Sequence, residues 1–470
     1  MKFKETVKSL ILTFLICSSV ILTSKIWFSE ELWSQRGYNS FDYMMKTVFS
    51  KFFNNKSYSS LEFEQIFYPK QIMVNSGGLS QMVTPSSEDY VIFNGAAKKL
   101  LEQFFKESQF EEITENELLK AYQAPSVYYD FSSTVSFDML GDYFNADLPE
   151  NVDLTSAKHL LISLKKDSAG NTNIYVKNNK NKKIYKFSSK SSAEELTSAA
   201  DRVTKNVSPD EKFYSYAFEN SFDKPADGVD TKLLLDSYMV ININSDAVSY
   251  IEPYIPYNSE DTGNISDLLN CFSMKLSSAR QFPDKQQTEN FVENFATLKI
   301  HKNGLLQYDA VDDSKGLLVT DMATGDYGFV KSAGDLAAEV YEIMGIDSKN
   351  IVFNSMKYTP ENSEYIITFD YLANGLKTCV DFASHPITVT IRKGKIVSLS
   401  QVLLGYNTGG GSMEIPSMIT ALDNFYSKYD VQKNKNVIIE DMYVVYYVSE
   451  NEYPTIKWNV VLSDGSVILI

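Results

Sequence analysis

Cysteine and histidine are scarce in this 470-residue chain, with three of each. Of the cysteines, Cys17 falls in the first apolar stretch, so only Cys271 and Cys379 could form a bridge. A disulfide scaffold is thereby excluded, and two packed thiols are the plainer reading. His159, His301 and His385 are far apart and have no metal-ligand spacing to a cysteine or to one another. Also missing are a G-x-S-x-G elbow, S-x-x-K, H-E-x-x-H and a P-loop. Positive charge is short too: 44 Lys and Arg against 60 Asp and Glu leave a net charge of −16, which argues against a nucleic-acid binder. No cofactor and no metal is expected, and the chain reads as a protein that binds rather than as an enzyme.

Long hydrophobic runs are rare, and the exception comes early. No charge falls between Lys8 and Lys25, and the stretch from Ser9 to Phe28 is long enough for a bilayer-crossing helix. Leu22-Thr23-Ser24-Lys25-Ile26-Trp27 is a poor signal-peptidase site, so the segment reads as an anchor that is kept. Lys25, Trp27 and Phe28 suit the membrane interface. Lys2, Lys4 and Lys8 place the short amino-terminal side in the cytoplasm and residues 29–470 outside, in a single-pass arrangement. On a helical wheel starting at Ser9, Thr13 falls near about 40°, Ser24 near about 60° and Cys17 near about 80°. That stripe of small side chains is the candidate face for packing against partner helices.

Aromatics are plentiful at 13%, which favours β-rich structure. Helical periodicity marks Gly95–Phe105, a Thr114…Glu117 capping box, a Ser192…Glu195 capping box, the region of Ile265–Phe272, Ser332–Gly345, and a helix near Pro416. Between them, Asn303-Gly304, Asn374-Gly375, Lys393-Gly394 and Asp464-Gly465 mark hairpin turns. "NTGGGSM" at 407–413 reads as a flexible turn before a helix. "KNNKNKKIYK" at 177–186 reads as a solvated hairpin tip, with an acidic or lipid partner as the sharper alternative. Asp309, Asp312 and Asp313 cluster without EF-hand register. "ENFATLKIHKNGLLQYDAV" and "SEYIITFDYLANGLKTCVDF" both run strand, Asn-Gly-Leu, strand, each after a helix, which suggests one α+β unit used more than once.

The fold class expected is α+β with antiparallel sheets: a tail (1–8), a transmembrane helix (9–28), and about three outer domains at 29–208, 209–330 and 331–470. Three stretches resemble the YycH regulators of low-GC Gram-positive bacteria: "ETVKSLILTFLICSSVILTSKIW"; "QIFYPKQIMV" followed by "VYYDFSSTVSFDML"; and "YIITFDYLANGLKTCVDFASHPITVTIRKGKIVSL". The resemblance implies a membrane-anchored accessory protein without catalytic residues. With a YycI-like partner it would modulate a YycG/WalK-type sensor histidine kinase that governs cell-wall metabolism. Lys377-Thr378-Cys379 departs from that family's more apolar pattern. A wall-directed enzyme and a passive surface scaffold are the rival readings.

Overall fold

The computed structural model describes residues 61–77, 80–149, 152–205, 214–220, 234–242, 247–285, 288–319, 325–428, 438–450 and 452–470. The expected membrane helix, its packing stripe and its interface anchors lie outside them. Among the described residues no helix is long and apolar enough to cross a membrane.

After one helical turn, α1 (Phe63–Ile66), comes a seven-stranded antiparallel sheet. Its strands are β1 (Gln71–Asn75), β2 (Ser80–Val83), β3 (Gln109–Ile113), β4 (Ser126–Ser136), β5 (Ser156–Ser163), β6 (Thr172–Lys177) and β7 (Ile184–Ser189), in the order β2-β1-β4-β5-β6-β7-β3. Helices α2 (Glu88–Phe104), α3 (Glu115–Gln123), α4 (Phe137–Phe144) and α5 (Glu194–Thr204) accompany it. Helix α2 begins at Ser87, earlier than the apolar spacing suggests, because Val91 and Ile92 face solvent and hide its first turns from a periodicity reading. Thr114 and Glu117 do form a capping box. Ser192 and Glu195 do not: the helix starts one residue later, capped at Ala193, and the Glu195 carboxylate turns to Lys99 at 3.0 Å. The lysine-rich hairpin joins β6 to β7, and Lys177, Lys183 and Lys186 pair with Glu115, Glu112 and Glu111. Most of that basic run is neutralised within the chain, which favours the bland reading.

Three short strands follow: β8 (Tyr214–Tyr216), β9 (Leu234–Leu235) and β10 (Val240–Asn242). Tyr216 and Tyr238 pack with Met73, Tyr122 and Tyr128. This aromatic cluster holds residues 214–220 and 234–242 to the first sheet.

The second sheet has fourteen strands, and its largest part is a duplication. Helix α6 (Thr262–Cys271) precedes β12 (Arg280–Pro283), β13 (Glu289–Val292), β14 (Ala296–Ile300) and β15 (Leu305–Ala310). After β16 (Leu317–Leu318), helix α7 (Asp326–Ile343) precedes β17 (Ile351–Thr359), β18 (Glu364–Ala373), β19 (Leu376–Val380), β20 (Ile387–Arg392) and β21 (Lys395–Val402). The halves meet where β15 pairs antiparallel with β21, so strand order runs β12-β13-β14-β15 and then β21-β20-β18, with β17 beyond β18. One α+β unit is thus used twice, but in a different register from the sequence match. The turn equivalent to Asn303-Gly304 is Lys393-Gly394. Asn374-Gly375 leads instead into β19, which leaves to pair parallel with a later strand. Positive φ at Asn374 and Gly375 (46° and 81°) and at Lys393 and Gly394 (50° and 74°) matches two-residue hairpin turns.

Strand β22 (Gly405–Glu414) pairs with β11 (Ala247–Tyr254) to make a ribbon. The glycine-rich stretch is therefore a strand, not a flexible turn. Pairing jumps from Ser249/Ser412 to Ile251/Thr408, leaving Tyr250 opposite the three glycines. A Cβ on Gly409 would sit 2.7 Å from the Tyr250 ring, and one on Gly405 would sit 2.3 Å from that of Tyr254. Glycine is needed there because aromatic rings lie directly on the backbone. Helix α8 (Met418–Lys428) and strands β23 (Ile438–Val448), β24 (Thr455–Leu462) and β25 (Val467–Leu469) complete the chain. Trp458 and Phe425 are buried in the core between them.

Candidate functional site

The second and third of the stretches quoted above for their family likeness meet in space at a charged seam where the first sheet faces the second, with the middle of "QIFYPKQIMV" at its centre. In that segment the capping box of α1 turns Phe63 and Ile66 inward, and the chain then runs extended. Phe67 stacks near Phe63, Phe131, Tyr143 and Phe353, with centroids 5.1 to 5.6 Å away. Pro69 lends its carbonyl to the Tyr90 hydroxyl at 2.7 Å. The Lys70 amide donates to the Asp130 carbonyl at 2.8 Å, which fixes where the lysine side chain starts.

From there the Lys70 ammonium lies 3.0 Å from Asp130 Oδ2 and 2.5 Å from Asp441 Oδ2. Gln71 donates to Asp130 at 2.8 Å, and His159 Nε2 is 3.3 Å from the other Asp130 oxygen. Lys158 stands 3.8 Å from Asp441. Asp441 faces inward because β23 bulges between Ile439 and Asp441, which leaves Glu440 exposed. Alongside, Lys377 pairs with Asp370 at 2.6 Å and covers the Tyr443 ring at 4.6 Å. Lys377 opens the Lys377-Thr378-Cys379 stretch singled out above, and here it has a buried counter-charge.

Burial alone would raise the Asp130 carboxyl, but Lys70, with His159 and Lys158, outweighs it and holds that group well below the usual range. Asp441 is lowered against the same burial by Lys70 and Lys158. Burial pulls the Lys70 ammonium down, yet its two carboxylates raise it overall. The Tyr68 phenol is pushed up to about 12 by burial. Lys70, Asp130 and Asp441 thus stay ionised and opposed.

Such an arrangement contributes geometry more than stability, because the desolvation of the ions offsets much of their attraction. The depressed carboxyls contribute fully above their unfolded value, about 3.9, and lose that contribution as pH falls through their folded values. The raised Lys70 contributes fully below about 10.4 and loses it as pH rises through its folded value. The unfolding free energy lost on Asp441→Asn is therefore expected to be constant between about pH 5 and about pH 9 and to shrink below about pH 4. Denaturant titrations of both proteins across that range check this, and a loss that grows toward acid would refute it.

The remaining candidates are placed as follows. His301 lies 2.8 Å from Gln307 Oε1, and His385 lies 3.4 Å from Asn354. No group of three His, Cys, Asp or Glu among the described residues is placed to hold a metal. Cys271 and Cys379 are both free thiols, and burial raises that of Cys379. Ser9, Thr13, Cys17, Ser24, Lys25, Trp27 and Phe28 fall outside the described residues. Sequence reasoning missed the seam. Its available signal was single acids inside apolar strand runs: Asp130 in "VYYDF", Asp370 in "TFDYL" and Asp441 in "EDMYVVYY".

Residues 5–205 match the family described as "YycH protein, N-terminal domain". The crystal structure of YycH from Bacillus subtilis superposes with a TM-score of 0.56, covering 87% of this chain and 97% of that one. Residues 5–205 thus carry the N-terminal domain of the YycH family. Identity to the Bacillus subtilis YycH structure is 12%, so that superposition speaks for the α+β fold alone. The Bacillus megaterium YpeB C-terminal domain aligns at a TM-score of 0.25 and 10% identity, over 45% of this chain and 92% of that domain, too slight a likeness to weigh. No curated protein matches in sequence. The family match over residues 5–205 supports a regulatory, accessory role in a YycG/WalK-type two-component system.

Proposed function

We propose that this chain is a single-pass, YycH-family membrane protein that tunes a YycG/WalK-type sensor histidine kinase together with a YycI-like partner. In this reading residues 9–28 cross the cell membrane, residues 1–8 are cytoplasmic, and the domains at 29–208, 209–330 and 331–470 are extracytoplasmic. The observation that carries the reading is the family match over residues 5–205, which takes in the apolar stretch as well as Lys70 and Asp130. Ser9, Thr13, Cys17 and Ser24 would let partner helices approach closely. Contacts there would favour one kinase state by about 1–3 kcal/mol, and events in the outer part would change that difference. The seam supports this by fixing the first sheet, which follows the anchor, against the second.

Single cysteines placed along residues 9–24, each combined with a single cysteine in the facing span of the kinase or of a YycI-like chain, should form disulfides across the two chains on oxidation in membranes. Crosslinks should be strongest at 9, 13, 17 and 24. Deleting the gene should shift reporter output from the kinase's regulon. Crosslinks spread evenly around the helix would remove the stripe, and an unchanged reporter would remove the regulatory role.

A further inference from the structure

Besides β19, the two halves of the duplicated sheet differ just after their last hairpin strand. After β21 the chain turns at once, with the Leu403 amide donating to the Gly304 carbonyl at 2.7 Å. The matching bond in the first half, from the Val319 amide to the Gly394 carbonyl (3.4 Å), comes only after an excursion through residues 311–318. That excursion is firmly held. Asp312 accepts from the Ser314 amide at 2.8 Å, Lys395 donates to the Ser314 carbonyl, and β16 pairs with β21. Gly316 lies so close to β21 that a Cβ there would be 2.6 Å from the Ile396 carbonyl oxygen. The product of the excursion is a cleft of about 700 Å³ between it and the open face of the sheet.

Its walls carry opposite charge. Asp309 on β15 and Thr390 and Arg392 on β20 flank β21, which carries Ser398, and Asp312 and Lys393 also line the space. Asp313 spans the gap, 3.1 Å from Lys393 and 3.6 Å from Arg392. Arg392 is also tied to Glu364 at 2.6 Å. Ser398 donates to Asp309 at 3.0 Å, and neither Asp309 nor Asp312 forms an ion pair among the described residues. Hydrogen bonds from Ser314 keep the Asp312 carboxyl below its usual range, so it is ionised.

We propose that this cleft binds a short peptide with free ends, its ammonium against Asp309 and Asp312 and its carboxylate against Lys393 and Arg392. A polyanion would meet three carboxylates. A metal ion would find no cluster of ligands. A plain cation would leave the basic wall unused. No aromatic ring lines the space to stack on a sugar or an apolar ligand. The volume falls within the range of small-ligand pockets and is ample for a few residues. This inference is independent of the kinase reading and can fail without it.

The test is calorimetric titration of the full-length chain in detergent with tri-alanine, N-acetyl-tri-alanine, tri-alanine amide and putrescine. Tri-alanine is expected to bind with a Kd of about 1 mM or tighter. Each cap should weaken binding about tenfold, as should Asp309→Asn and Lys393→Gln in chains with an unchanged unfolding midpoint. Absence of tri-alanine binding, equal binding of the capped peptides, putrescine binding as tightly as tri-alanine, or indifference to both substitutions would each overturn the proposal.

Discussion

Replacing Lys70 by methionine is expected to cost about 3–5 kcal/mol of folding free energy. The ammonium is the one cation within 3.0 Å of both Asp130 and Asp441, and those two acids are only 4% and 7% exposed. Without it, two carboxylates remain in a poorly solvated seam, with Lys158 at 3.8 Å and His159 at 3.3 Å as weaker neighbours. The cost comes from stranded charge, not from a lost bond. A chain carrying Lys70→Met, Asp130→Leu and Asp441→Leu together should therefore recover to within about 1–2 kcal/mol of the parent, or exceed it. Urea unfolding followed by fluorescence of buried Trp458 measures both. A Lys70→Met chain as stable as the parent would show that the seam is already solvated.

Phe67→Ala should have an effect of similar size, about 3–5 kcal/mol, by a different route. The Phe67 ring is 1% exposed and touches Phe131 and Tyr143 on one side and Phe353 of β17 on the other. Truncation opens a cavity that neighbours on two rigid sheets cannot close. Because the ring bridges the sheets, hydrogen exchange should speed in β17 and β4 before it does in β13 and β14. Uniform acceleration would mean that Phe67 is an ordinary core residue. Phe67 and Lys70 lie in one short segment, so their effects should couple rather than add.

What the sequence disclosed was local. Asn303-Gly304, Asn374-Gly375 and Lys393-Gly394 name their turns because each ends in a glycine that takes positive φ at no steric cost. The Thr114 capping box is likewise written within four residues. What stayed hidden depends on distant partners. Lys70 and Asp441 are 371 positions apart, and no pattern around either names the other. The glycines at 409–411 looked like slack because the need for one of them, Gly409 beneath the Tyr250 ring, is set by a strand far upstream. The duplication was visible in kind, but its register was hidden by β19, whose Asn-Gly turn imitates the wrong hairpin.

The ribbon of β11 and β22 joins the residues just before the duplicated sheet to those just after it, like a clasp. Strands that close over so long a loop form late and slowly. A chain emerging amino end first could not fasten this clasp until Glu414 had appeared, nor bring Asp441 to Lys70 until later still. For much of its synthesis the large sheet would wait unfastened, with its apolar face dependent on helpers that guard nascent chains.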